Sequence, residues 1–256
     1  MTGLMVAEWR RMVVEAVRYP LDTISFMVTL FMLFVGMFYG ARYITQSPVG
    51  GGRLDTVVLG YAVWMLMMTA TSDMGWQIQN EAQTGTLEQV MLVPWSSRLV
   101  FLVRGVMAIV AFLVPCAVII LALLAITHAH FVWTPVALVP MALVMATAWG
   151  LGLLVASLGL LIKRVGQMMQ IVQFLLLFVI IAPVAVLPGI GWHVAAMLVP
   201  LTAQVTLLRD LLHGVPVTHW VWAEAAVNFA VTMAAGLWLF GGADRLARRR
   251  GILGHY

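Results

Sequence analysis

Residues 99–127 read LVFLVRGVMAIVAFLVPCAVIILALLAIT, with Arg104 as the only charged side chain in the run. A helix rises about 1.5 Å per residue, so about 20 apolar residues cross a hydrocarbon core of about 30 Å. This stretch is long enough to cross, and it lacks the polar stripe that a helix facing water would need. Five more apolar runs resemble it, at about residues 23–41, 56–76, 134–162, 167–187 and 218–241. Over 256 residues the chain is 63% hydrophobic and 9% charged, against about 25% charged in an ordinary soluble domain. The expectation is an all-α fold: one polytopic membrane domain over residues 1–256 with six transmembrane helices and no large soluble part.

Residues 4–19 follow a different pattern. Glu8, Arg11, Glu15 and Arg18 recur at spacings of three and four, with Met5, Trp9, Met12, Val13 and Ala16 opposite. That pattern predicts an amphipathic helix lying in the interface plane. Two acids interrupt the segment and the apolar run begins only after Pro20, which fits a secretory signal peptide poorly. Between the fifth and sixth runs, residues 188–216 are too broken by Pro188, Gly189, Gly191, Pro200 and Gly214 to form another span. Within them residues 200–213 predict a short outer-face helix, with proline in its first turn and glycine after its end. Thr202, Thr206, Arg209 and His213 fall on one side, and Leu201, Val205, Leu208 and Leu212 on the other. Such a helix rests on a membrane surface or dips into it.

The basic residues sit at helix ends rather than on one face, so they speak for topology and not for a nucleic-acid partner. With the amino terminus inside, the inner segments hold Arg10, Arg11, Arg18, Arg98, Arg104, Lys163, Arg164, Arg245, Arg248, Arg249 and Arg250. The outer segments hold only Arg42, Arg53 and Arg209. The excess of positive charge places both termini in the cytoplasm. Pro115, Pro140 and Pro183 permit kinks in the third to fifth spans. Gly36 and Gly40, and the repeat Ala148, Gly152 and Ala156, offer surfaces that neighbouring helices can approach closely.

Little here suits catalysis. Cys116 lies in an apolar run, where a thiol acts as a small core residue. His128 and His130 are two apart, on different sides of a helix, and no nearby carboxylate or cysteine completes a zinc set. His193, His213 and His219 are spread over outer loops. Neither a catalytic group nor a metal site is expected. Buried polar residues are more informative, because each is costly in a span unless used or paired. Glu224 and Asn228 lie in the sixth span, and Gln167, Gln170 and Gln173 run up the start of the fifth. They either line a polar path for substrate or form interhelical hydrogen bonds that fix packing.

A P-loop needs glycines followed by lysine, yet the only lysine is Lys163, preceded by Leu160, Leu161 and Ile162. ATP-driven work would therefore need a second polypeptide. Residues 79–94, QNEAQTGTLEQVMLVP, form a polar island between the second and third runs. Gly85 punctuates, Thr86 and Gln89 make a T-x-x-Q capping box, Glu88 suits the positive helix end, and Pro94 stops the helix. A short, rigid helix over about 81–94 is expected on the cytoplasmic side.

Glu81, then Gly85-Thr86-Leu87-Glu88, then Pro94 resemble the mark of the membrane components of type-2 ATP-binding-cassette (ABC) exporters. The run Leu187-Pro188, Trp192, Pro200-Leu201-Thr202, Leu208-Arg209-Asp210 and Gly214 is similar to the segment before the last span in the drug and lipo-oligosaccharide branch of that family. One departure is that Asn80 and Ala82 flank Glu81, where many relatives carry a charged neighbour. The resemblance implies a permease subunit in a bacterial or archaeal cytoplasmic membrane. Two copies of this chain would form the pathway, and two cytoplasmic ATPase subunits would carry the ATP and magnesium. Glu81, Gly85, Thr86, Leu87, Glu88 and Pro94 would then belong to a coupling helix, and the cargo would be an amphipathic drug-like or lipid-type molecule. A lipid-linked glycan is the alternative cargo within the family. A channel or secondary transporter that needs no ATPase, and an enzyme acting on lipid, are the alternatives outside it.

Overall fold

The computed structural model describes residues 2–45, 52–84, 97–127, 134–161, 166–181 and 198–249. Every regular element among them is helical. In chain order these are α1 (Thr2–Arg18), α2 (Pro20–Thr45), α3 (Gly52–Thr84), α4 (Ser97–Thr127), α5 (Leu138–Leu161, preceded by a 3-10 turn at Pro135–Ala137), α6 (Gly166–Ile181), α7 (Thr202–Leu212) and α8 (His219–Arg249). Five of them contain stretches long and apolar enough to cross a membrane: Pro20–Tyr43, Val57–Gln77, Leu102–Thr127, Pro135–Gly159 and His219–Leu246. They coincide with five of the six expected runs. The run expected at 167–187 coincides with α6, of which 16 residues are described, too few to cross alone; residues 182–187 lie outside the described residues.

α3 and α5 form the middle of the bundle. Their apolar stretches are 69% and 56% buried, whereas those of α2 and α4 are 17% buried and line the outside. α4 turns Val106, Val110, Val114, Val118 and Leu121 outward, a continuous apolar stripe that suits lipid rather than water.

Small residues set how closely the middle helices meet. A Cβ added to Gly152 would lie 2.8 Å from the Thr71 backbone oxygen, and the Thr71 hydroxyl donates to the Ala148 carbonyl at 3.1 Å. Gly150 and Gly236 bring α5 and α8 into backbone contact in the same way. The repeat Ala148, Gly152 and Ala156 therefore packs inside the chain, all three buried. Gly36 and Gly40 do not: a Cβ on either would meet nothing within 4 Å, and both are exposed on α2. Pro115 lies inside α4 as expected. Pro140 instead falls in the first turn of α5, where helix N–H groups have no partner within the helix, so no hydrogen bond is lost there.

α1 corrects one expectation. Glu8 was expected on the polar side with Arg11 and Arg18, yet it is buried. Arg104 of α4 donates from Nε to its Oε1 at 2.9 Å, the two side chains being 9% and 10% exposed. Arg11 stands farther off, at 3.9 Å, and is half exposed. Helical spacing says which residues share a face but not which face meets protein, and a matching cation lets a carboxylate turn inward. Val6, Trp9, Val13 and Val17 stay exposed on the neighbouring arc, and Arg18 stands 5.9 Å over the Tyr19 ring. An arginine-edged apolar arc is what an interfacial helix presents to a membrane surface.

The expected helix over 81–94 falls largely outside the described residues. Residues 81–84 continue α3 without a break, and α4 begins at Ser97.

Candidate functional site

Two places gather polar groups among the apolar helices, and the first is a cleft of about 550 Å³ walled by α2, α3 and α6. Met32 and Gly36 come from α2, Tyr61, Trp64 and Met68 from α3, and Gln173 from α6. A row of rings stiffens one wall: Phe38 stacks on Phe34 at 5.4 Å, Phe34 meets Tyr61 at 5.1 Å, and Tyr61 meets Trp64 at 5.6 Å. Rings at these offsets attract one another beyond their buried area. The polar ends of the two amphipathic rings are already used. The Tyr61 hydroxyl donates to the Leu30 carbonyl, and Trp64 Nε1 donates to the Gln173 backbone oxygen at 3.4 Å.

Gln173 is held by a relay. Its Nε2 donates to Ser72 Oγ at 2.6 Å, and Ser72 Oγ donates in turn to the Met68 carbonyl at 2.6 Å. A serine has one proton, so with that proton given to Met68 the Ser72 oxygen can only accept. The side-chain nitrogen of Gln173 must therefore face Ser72, and Oε1 faces away.

The second place is the seat of α7, packed between α5 and α8. The segment begins awkwardly: Leu201, fully buried, has φ 74°, a left-handed conformation that costs a side-chain-bearing residue about 1–2 kcal/mol. Asn228 of α8 holds it there. The Leu201 N–H donates to Asn228 Oδ1 at 3.1 Å, and Asn228 Nδ2 donates to the Val199 carbonyl at 2.8 Å. Gln204 Nε2 adds donations to the Thr147 hydroxyl at 3.1 Å and the Ala225 carbonyl at 2.9 Å. The far end closes as the spacing predicts. Gly214 has φ 71°, its N–H donates to the Leu211 carbonyl at 3.2 Å, and the Val215 N–H reaches the Asp210 carbonyl at 2.9 Å, the paired bonds of a Schellman motif. Burial pushes the Asp210 carboxyl above the usual carboxylate range, against the opposing pull of Arg209 and His213.

The side of α7 expected to be polar is graded: Thr202 is buried, Thr206 and Arg209 are half-buried, and His213 is exposed. Thr202 and Gln204 are buried together with Val205, Leu208 and Leu212, so the helix is wedged among its neighbours. Asn228→Leu is expected to leave the buried Leu201 N–H unmatched, worth about 1–3 kcal/mol, and the Val199 carbonyl with only the Thr202 N–H at 3.4 Å. Thermal unfolding in detergent should register a loss of about 2 kcal/mol or more, while α1 keeps its protection from proteolysis. An unchanged midpoint would mean that the clamp carries no weight.

Of the five polar residues singled out in the sequence, Gln173 alone lines the cleft. Asn228 is bonded to residues 199 and 201, Glu224 is buried beside it on α8, and Gln170 is exposed; the Gln167 side chain lies outside what is described. Gly85, Thr86, Leu87, Glu88 and Pro94 lie outside the described residues, as do His128, His130 and His193, and nothing is described of the Glu81 side chain. Sequence reasoning missed Ser72, Tyr61, Trp64, Leu201 and Gln204. A serine, a tyrosine and a tryptophan in one apolar run carried some signal, whereas the left-handed Leu201 carried none. Cys116 is buried as expected. Among the described residues, no three His, Cys, Asp or Glu side chains gather as a metal set.

Fold and site together define an all-helical membrane protein with an apolar cleft between α2, α3 and α6. No protein-family model matches the chain, and no curated protein matches it.

Proposed function

We propose that this chain is the permease subunit of an ATP-driven exporter of the type-2 ABC class. It would be paired with a second copy of itself in a bacterial or archaeal cytoplasmic membrane and driven by separate ATPase subunits. The observation that carries the reading is the ion pair between Glu8 and Arg104. α4 starts three residues after Pro94, and its second turn grips α1 through Arg104. A push received by the 81–94 segment would therefore reach α1 and α4 as one body rather than dissipating in a loop. The exposed Gly36 and Gly40 leave α2 open to a second copy, and the apolar cleft beside them suits an amphipathic drug-like or lipid-type cargo.

The test lies in the motif that the resemblance supplies. Gly85→Pro and, less severely, Glu88→Ala should abolish transport in membranes that hold the normal amount of protein, while the associated ATPase goes on hydrolysing ATP. Co-purification of an ATPase carrying a P-loop, lost when residues 81–94 are replaced, is the accompanying expectation. Normal transport by both variants would overturn the assignment.

A further inference from the structure

We propose that the cleft between α2, α3 and α6 binds an uncharged amphipathic molecule whose polar group donates a hydrogen bond to Gln173 Oε1, as a long-chain alcohol or a primary amide does.

The direction of the bond follows from the relay. Gln173 Nε2 is committed to Ser72, and Ser72 is committed to Met68. Gln173 Oε1 has no partner among the described residues, nor is it among the buried orphan atoms, so it is an open acceptor in a wall otherwise made of Met, Gly, Leu, Phe, Tyr and Trp. The Tyr61 hydroxyl and the Trp64 N–H, which could have met an acceptor on a ligand, are both spent on backbone carbonyls. The described lining thus offers one open polar group, and that group accepts.

Charge on the ligand is disfavoured for a related reason. Among the described residues no charged side chain lines the cleft, and an ion without a partner in apolar surroundings is strongly penalised. A quaternary ammonium can sit over an open ring face. Tyr61 and Trp64, however, are 1% and 8% exposed and turned toward each other, so their faces are largely covered, and Phe174, the remaining ring of the described lining, stands at the rim rather than beside Gln173 Oε1. Size and access fit: about 550 Å³ lies within the range of small-molecule sites, about 300–1,000 Å³. Met32 and Phe174 at the rim are 63% and 65% exposed, which opens the cleft to the acyl region.

The inference deepens the exporter reading by naming a cargo class, and it rests on that reading only for what happens after binding. Its test therefore uses the full chain in phosphatidylcholine nanodiscs with no ATPase present. Three diazirine-bearing probes of equal chain length are compared: a primary alcohol, its methyl ether and its trimethylammonium analogue. The alcohol should label cleft residues about fivefold to tenfold more strongly than the ether, the yield of one hydrogen bond, and the ammonium least of all. Gln173→Leu should reduce the alcohol to the ether's level, and Gly36→Leu, which fills the cleft without touching the relay, should lower labelling by all three. If Gln173→Leu fails to fold, the ranking of the three probes on the unaltered protein still decides. Equal labelling by alcohol and ether, preference for the ammonium, or labelling elsewhere would each overturn the proposal. Alcohol-selective binding in a protein whose Gly85→Pro and Glu88→Ala variants transport normally would instead remove the exporter reading and leave this site standing.

Discussion

Arg104→Leu should free α1 from the bundle while leaving the rest of the fold in place. Glu8 would keep only Arg11, 3.9 Å away and half exposed, and the loss of one partner of a buried pair is penalised by about 3–5 kcal/mol. α1 has a cheaper way out. It touches mainly α4, so peeling away returns the Glu8 carboxylate to water and forfeits little beyond that packing. Local opening of this kind should win over global unfolding. The expected result is rapid proteolysis within residues 2–18 with a nearly unchanged global thermal midpoint. The double change Glu8→Leu with Arg104→Leu should restore much of the protection, because no charge is stranded and two apolar side chains replace the pair. Protection equal to that of the unaltered protein in the single variant would dismiss the ion pair as a fastener.

Gly236→Ala is expected to be the most damaging single methyl group that can be added to the described helices. The new Cβ would lie 2.5 Å from the Gly150 carbonyl oxygen and 3.2 Å from Leu153 Cβ. A backbone carbonyl inside a helix cannot swing aside, so α5 and α8 must separate along their tightest contact, at a cost of about 1–3 kcal/mol or more. Gly105→Ala gives a closer approach, 2.1 Å from Trp149 Nε1, but there a side chain can shift. Gly36→Ala and Gly242→Ala meet nothing within 4 Å and serve as controls that should leave the monomer's midpoint alone. Midpoints measured in detergent should fall in the order Gly36 and Gly242, then Gly105, then Gly236. A midpoint for Gly236→Ala equal to that of the controls would show that the two backbones are not in contact.

Five of the six expected spans were legible because hydropathy over about 20 residues depends neither on partners nor on which way a face points. The order of layers was not. Nothing in the sequence separates the repeat Ala148, Gly152 and Ala156, which packs against α3, from Gly36 and Gly40, which face outward. Both are small residues every four positions, and only the assembled chain says which pair of backbones uses them. Glu8 shows the same limit, since periodicity grouped it with Arg11 while a cation 96 residues away turned it inward. Gln173 was visible as a polar residue in an apolar helix, but its role depends on Ser72, 101 residues distant. Asn228 was read as lining a polar path or fixing packing; its bonds to residues 199 and 201 were not legible, because they depend on a left-handed leucine that propensity would not place there.

The clamp on Leu201 also has a bearing on the order of biogenesis. Synthesis runs from the amino terminus, so α7 emerges before the residue that holds its first turn. Until Asn228 arrives on α8, the Leu201 N–H lacks its side-chain acceptor and the Val199 carbonyl lacks the shorter of its two donors. A nascent chain halted before residue 228 would leave the first turn of α7 without its clamp. Lateral release of the final helix from the insertion machinery would then be the event that locks the wedge.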